Sequence, residues 1–220
     1  MKSKTPLPVL TVLQLLFILS IAGSAAGQQA SFISKAYLTS TGLVTSSGSM
    51  SGRCLQVVFR DKWSASVSHY SGNLNVNNLP SDYQQGENSF LGIAWKDGKP
   101  KHNLKVTSFT AGKFAKLSRS VWFTTEAGIS INRGFETTFQ RQTVTVADAW
   151  IIYSRSSNYT TTKQEKTVIG GIISADLKVA FSPFTTFGIG FNANPNSLQT
   201  TLGGQFSLSI GWMHRGPKNK

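Results

Sequence analysis

Apolar and polar residues alternate one for one along several stretches of the chain. In the segment SADLKVAFSPFTTFGIGF at 174–191, Leu177 stands between Asp176 and Lys178, and the alternation continues to the end of the segment. Successive side chains leave opposite faces of an extended backbone, so a period of two predicts a β-strand with one apolar and one polar face.

The same pattern predicts eight strands, and no segment after the N-terminal leader keeps the 3.6-residue period of a helix. The predicted strands are 31–44, 52–60, 63–71, 104–114, 120–132, 167–181, 185–193 and 203–213. The sequence therefore predicts an all-β chain.

The connections between these strands alternate in length. Short turns are predicted at 60–62, 115–119 and 182–184, whereas the links at 72–103, 133–166 and 194–202 are longer. Short turns at one end and long loops at the other are typical of outer-membrane barrels. The expected fold is an eight-stranded antiparallel up-and-down transmembrane β-barrel.

Alternation alone leaves open which face is outside. In a membrane barrel Leu177, Val179 and Phe181 face lipid while Asp176 and Lys178 face the interior; in a soluble exported lipocalin-like ligand-binding barrel the apolar face fills the core. Aromatic residues near the predicted strand ends favour the membrane barrel, since they suit the girdles at its two interfaces. These aromatic residues are Trp63, Phe114, Trp122, Phe184 and Trp212.

The first 27 residues have the order of a secretory signal peptide. Lys2 and Lys4 precede an apolar run at 9–22, which ends in the small residues of GSAAGQQ. We therefore expect a signal peptide at 1–27 that is removed, a barrel domain at 28–213 and a basic tail at 214–220. The expected location is the outer membrane of a Gram-negative bacterium.

The chain is strongly basic, with a formal net charge of +13. Its cations are scattered, and the densest cluster, KDGKPKHNLK at 96–105, has no interleaved aromatic residues, so we expect no nucleic-acid partner. Outer-membrane lipid is the expected partner, with lipopolysaccharide as a further candidate. The single cysteine, Cys54, permits no internal disulfide, and no metal or cofactor motif accompanies it.

Three stretches carry a resemblance to a known family. They are LPSDYQQG at 79–86, the series TAGKF to TEAGIS through 110–130, and the PFTTF turn at 183–187. Together they resemble small outer-membrane β-barrel proteins of the Bacteroidetes type. The resemblance implies the fold and the location and carries no assigned activity.

Charged residues on the polar faces predict a structural network in the barrel interior. Glu126, Asp176 and Lys178 are its candidate members, and Lys105 and Lys113 are the candidate cations that pair with Glu126. A charge in a narrow interior needs partners because an uncompensated buried ion is costly. Side chains roughly fill an eight-stranded barrel, so we expect no wide pore.

These observations predict a structural or surface-interaction role and no catalytic, cofactor or metal site. A hydrolase at the loop rim is the remaining alternative, with His69 or His102 as general base beside Asp82, Glu87 or Asp148. No catalytic sequence motif supports it.

Overall fold

The structure is a computed structural model that describes residues 33–91, 93–149 and 151–213. The expected signal peptide at 1–27 and the basic tail at 214–220 lie outside the described residues. No helix within the described part of the chain is long and apolar enough to cross a bilayer.

Eight long strands form a closed antiparallel barrel. They are β1 (Ile33–Thr45), β2 (Gly48–Phe59), β3 (Trp63–Asn75), β6 (Lys101–Lys116), β7 (Val121–Arg141), β10 (Tyr159–Ala180), β11 (Thr185–Asn194) and β12 (Thr201–Met213). Each pairs with the next barrel strand along the chain, and β1 closes the ring against β12. At this seam the hydroxyls of Thr39 and Ser209 hydrogen-bond at 2.8 Å. The prediction of an all-β, eight-stranded, up-and-down antiparallel barrel is confirmed.

The strands next to the longest predicted link extend well beyond their predicted ends. β7 continues to Arg141 and β10 begins at Tyr159, so half of the link predicted at 133–166 is a paired ladder. Its residues are mainly polar on both faces, which hides the alternation from a hydrophobicity pattern. Backbone pairing carries this ladder outward, as antiparallel strands allow, and ion pairs join Arg133 to Glu165 and Lys166 to Glu136 across it.

A second, four-stranded sheet lies in the two long connections, and the sequence did not predict it. Its strands are β4 (Glu87–Phe90), β5 (Ile93–Lys96), β8 (Val146–Ala149) and β9 (Ile152–Arg155), in the order β5-β4-β9-β8. We call it the loop sheet. Because β4 pairs with β9, it ties the connection after β3 to the connection after β7.

The barrel carries its apolar residues outside and its polar residues inside. Ile169 and Ile210 on the outer surface are 77% and 63% exposed, whereas Ser130 and Ser209 in the interior are fully buried. The outer face holds large exposed apolar side chains on seven of the eight barrel strands, all but β2. They include Leu38, Val67, Phe109, Phe123, Ile129, Ile173, Phe187, Ile189, Phe206 and Leu208.

Two small apolar clusters lie inside the barrel, one toward each end. Toward the loop end, the cluster consists of Leu43, Met50, Tyr70, Leu74, Leu104 and Val106. Toward the end with the short turns, it consists of Tyr37, Val58, Phe114 and Trp122. Phe114 and Trp122 therefore fill the interior and do not belong to the outer aromatic girdle in which the sequence analysis placed them.

Candidate functional site

A buried carboxylate, Glu126 of β7, lies in the middle of the barrel interior. Its Oε1 accepts a hydrogen bond of 2.6 Å from Gln56 Nε2. Its Oε2 accepts bonds from the Ser66 hydroxyl at 2.7 Å and the Thr110 hydroxyl at 2.6 Å. Three donors from β2, β3 and β6 thus converge on one carboxylate, which lets the interior hold a negative charge.

The strand opposite this carboxylate approaches β7 closely. Glu126 is paired in register with Gly112 of β6. A Cβ at this glycine would overlap the Thr125 carbonyl and approach the Glu126 backbone, so the strands approach here more closely than a side chain would permit.

A buried ammonium group faces the same network from the other side. Lys178 of β10 is 2% exposed, and its Nζ donates a 2.6 Å hydrogen bond to Gln56 Oε1. The same Nζ lies 5.4 Å from the ring centroid of Tyr37, within range of a cation–π interaction.

Asp176, two residues before Lys178, lies in the same layer of the interior. Its Oδ1 accepts a 2.5 Å hydrogen bond from Gln205 Nε2 of β12. Glu126, Asp176 and Lys178 line one shared cavity together with Gln56 and Gln205. The structure therefore brings together the three central residues of the expected network.

Lys105 and Lys113 lie on the outer face, and neither pairs with Glu126. Lys113 is opposite Thr125 in register, one residue away from the inward-facing position, and its Nζ lies 3.4 Å from the centroid of the Trp63 ring. Both lysines are exposed. The expected pairing fails because side chains one residue apart on a strand point to opposite faces.

The sequence did not predict the hydrogen bonds that Gln56 and Gln205 make in this network. Gln56 and Gln205 occupy inward positions on strands with few charged residues, and nothing in their sequence context marks them. Only the barrel closure brings β2 and β12 around the charges carried by β7 and β10.

The cavity in this layer is small, with a volume of about 20 Å³. A cavity needs on the order of 10–15 Å³ to hold one water molecule, so this cavity admits about one. One apolar cluster lies above this layer and the other lies below it.

The residues of the alternative rim hydrolase do not form a catalytic pair. His69 lies on the outer face, with Nδ1 3.0 Å from the Thr107 hydroxyl. His102 is buried near the loop end, where burial and then the charge of Lys163 lower its pKa. Among the described residues no ion pair joins either histidine to a carboxylate.

The carboxylates expected beside these histidines bind other residues or lie in the loop sheet. The Tyr159 hydroxyl donates a 2.7 Å hydrogen bond to Asp82, and this bond raises the pKa of Tyr159. Glu87 begins β4 and Asp148 lies in β8, both in the loop sheet. Within the described ranges no group of three or more His, Cys, Asp or Glu side chains could hold a metal ion.

The loop end presents two distinct surfaces. An open polar groove of about 580 Å³ is lined by residues that include Lys96, Lys99 and Arg155. The far tips of the loop-sheet hairpins expose large apolar side chains. These are Phe90, Leu91, Ile93, Ile151 and Ile152.

Comparisons with known proteins give structural likeness without sequence likeness. No family model matches the chain, and no curated protein matches it. The N-terminal β-barrel domain of Pseudomonas aeruginosa OprF is similar over 81% of this chain and 98% of its own, with 9% identity and a TM-score of 0.48. The attachment invasion locus protein Ail of Yersinia pestis, crystallised with the heparin analogue sucrose octasulfate, is similar over 82% and 95%, with 12% identity and a TM-score of 0.41.

Proposed function

We propose that this chain is an integral β-barrel of the outer membrane of a Gram-negative bacterium, related to the small Bacteroidetes-type barrels. The observation that carries the proposal is the inverted arrangement of the closed barrel. Its outer surface is apolar and its interior holds hydroxyls, amides and a charged network.

Exposed apolar residues of this extent fit a bilayer better than water. Soluble monomers rarely expose contiguous apolar patches above a few hundred Å². Here seven of the eight barrel strands carry exposed large apolar side chains, from Leu38 on β1 to Leu208 on β12. Lipid would cover this surface, and the closed ring leaves no strand edge unpaired inside the hydrocarbon layer.

The small interior supports a role other than transport or ligand storage. Ligand pockets usually have volumes of roughly 300–1,000 Å³, far above the cavity beside Glu126. This disfavours the lipocalin-like alternative, whose ligand would need an apolar interior. The absence of a histidine–carboxylate pair among the described residues gives the hydrolase alternative no support.

We propose a structural or surface-interaction role centred on the loop end. The loop sheet extends the barrel beyond its apolar belt, and hydrogen bonds fix its base. Asn158 donates to the Asp82 carbonyl at 2.8 Å and accepts from the Gln84 amide at 2.8 Å. An ordered surface of this kind suits contact with a partner, and lipopolysaccharide phosphates are a candidate for the groove beside Lys96 and Lys99.

Alkaline carbonate extraction tests the proposal. Membranes from cells that express the full chain are washed with carbonate, and the protein is followed in the pellet and the supernatant. An integral barrel stays in the pellet and enters solution only with detergent. Release into the carbonate supernatant, with the protein monodisperse in buffer alone, would contradict membrane integration.

A further inference from the structure

We propose that the β2–β3 hairpin forms a binding site for an anionic phospholipid at the short-turn end of the barrel. The inference rests on the proposed membrane location. It concerns the headgroup layer that would surround this end, opposite the loop sheet.

The site is an open groove of about 590 Å³ on the outer surface. Phe59 and Trp63 form its apolar part, and Arg60 and Lys62 its charged part. Phe59 and Trp63 are cross-strand partners, and Trp63 is 52% exposed. The groove thus places two aromatic side chains next to two cations, as a lipid with an acyl chain and a phosphate requires.

The turn that carries these cations has an uncommon backbone conformation. Arg60 and Asp61 have φ angles of 50° and 53°, a region that non-glycine residues seldom adopt. Two successive positive φ angles are typical of the tight type I′ hairpin, in which Asn-Gly or Asp-Gly is the usual pair. A glycine would relieve the strain, but it would remove the Arg60 side chain from the groove.

Contacts with β1 hold this turn in place. The Asp61 amide donates to the Ser34 hydroxyl at 3.1 Å, and Lys35 Nζ lies 2.6 Å from Asp61 Oδ1. Lys35 is almost fully buried. The one carboxylate of the turn is therefore bound to a lysine of its own chain.

Further cations lie in the short turns at this end of the barrel. The turn segments 59–63, 115–121 and 180–185 contain four basic residues and a single carboxylate, Asp61. The basic residues are Arg60, Lys62, Lys116 and Arg119. In addition, Lys113 Nζ lies over the face of the Trp63 ring, so a third cation borders the groove.

This combination selects a lipid of net negative charge. Arginine binds phosphate oxygens in a bidentate manner, and lysine adds a point charge. A zwitterionic headgroup would bring its own ammonium group into the same positive field. A soluble phosphate ester would satisfy the cations but leave Phe59 and Trp63 exposed, so the acyl chain is part of the expected ligand.

The test measures lipid retention by the purified full-length protein as it is isolated from membranes in nonionic detergent. The protein is incubated with equal amounts of phosphatidylglycerol and phosphatidylcholine of the same chain length and separated by gel filtration. Retained phospholipid is then quantified by mass spectrometry. We expect preferential retention of phosphatidylglycerol, and a fall in that preference on the order of tenfold in the variant Arg60→Gln/Lys62→Gln.

A matched control removes two charges at the other end. Lys101→Gln/Lys105→Gln changes the net charge equally at two exposed positions near the loop end and should leave the preference unchanged. Equal loss in both variants would assign the effect to net charge and overturn the site. Glycerol phosphate, which has the headgroup chemistry without acyl chains, should not displace the lipid; full displacement at millimolar concentration would also overturn it.

Folding is checked for each variant by its unheated migration in a detergent gel, and Lys62→Gln alone replaces the double variant if that one does not fold. A protein that integrates into membranes and retains both lipids equally would overturn this inference and leave the proposed function intact. A protein that needs no detergent and retains neither lipid would overturn both.

Discussion

Glu126 and Lys178 are joined through a single side chain, the amide of Gln56, which donates to the carboxylate and accepts from the ammonium group at 2.6 Å each. The two opposite charges thus share a neutral bridge. Such a bridge satisfies both ions without requiring direct contact between them, and it links β2, β7 and β10 across the interior.

Replacing the bridge with an apolar residue of similar size should be costly. Gln56→Leu removes two hydrogen bonds to charged groups, each worth roughly 1.5–3 kcal/mol, and leaves both ions buried. We expect a loss of about 3 kcal/mol or more in the free energy of unfolding, measured by urea titration of the protein in detergent micelles. Ser209→Ala, which removes one neutral hydroxyl contact in the same interior, should cost much less; equal losses would contradict the bridging role.

The charge of Glu126 should be coupled to Lys178 and not to Lys113. Glu126→Gln removes the negative charge and should lower the thermal unfolding midpoint, because Lys178 stays buried without this compensation. Adding Lys178→Gln should restore part of the loss, which a double-mutant cycle measures as a coupling energy. Lys113→Gln is the control, since it lies on the outer face. Coupling to Lys113 of the same size would show that the interior assignment is wrong.

An arginine on the outer face should impair membrane insertion. Ile189 is 48% exposed and lies in register between Leu177 and Phe206, near the middle of the barrel. An arginine near the bilayer midplane of such barrels costs about 2–4 kcal/mol. Ile189→Arg should therefore lower the yield of folded protein in vesicle-insertion assays, whereas Ile189→Val should insert as the parent does. Full tolerance of the arginine would argue for a barrel in water.

Cysteine labelling should reveal opposite sides for the two barrel ends. Ile93 in the loop sheet and Leu117 in the β6–β7 turn are 70% and 63% exposed. In a Cys54→Ser background, Ile93→Cys should react with a membrane-impermeant maleimide on intact cells, while Leu117→Cys should react only after the outer membrane is permeabilised. Labelling of both positions on intact cells would contradict the proposed orientation.

The Lys35–Asp61 pair should make stability depend on acid pH. Burial raises the pKa of Asp61, but the hydrogen bond and charge of Lys35, with smaller effects of Ser34 and Lys116, bring it below its ordinary value of 3.8. A lowered carboxyl pKa gives stability that is complete above the ordinary pKa and is lost as the pH falls through the folded-state value.

The variant Asp61→Asn isolates this effect, because asparagine accepts the same backbone conformation. The difference in urea midpoint between parent and variant should be constant at neutral pH and shrink below the ordinary carboxyl pKa. A difference that grew toward acid pH would have the wrong sign for this ion pair.

The sequence predicted the barrel wherever one face is apolar. Apolar residues such as Ile189 and Leu208 occur at every second position of their strands, because lipid or a core must cover that face. This alternation predicted the number of strands and the inward direction of Asp176 and Lys178. The ladder formed by 133–141 and 159–166 carries no such signal, because neither of its faces is consistently apolar. Its pairing continues the register that β7 and β10 already have between residues 121–132 and 168–179.

The interior network was less predictable for a different reason. Strand parity gives the face on which Glu126 lies, but it does not give the neighbour across the barrel. Lys113 pairs with Thr125, whose side chain points to the face opposite that of Glu126. Knowledge of this register would have placed Lys113 on the outer face. The partnership with Gln56 depends on the closed ring, which local sequence does not encode.

The seam between β1 and β12 sets the order in which the molecule can be completed. The Thr39–Ser209 contact joins residues 170 positions apart, whereas each of the other barrel pairings forms between barrel strands that follow one another along the chain. Hairpins can therefore form early and cheaply, but closure waits for the final strand and carries the largest loop-closure entropy. Until then two long edges stay open to other chains, so a chaperone or an assembly factor has most to protect in the last step of folding.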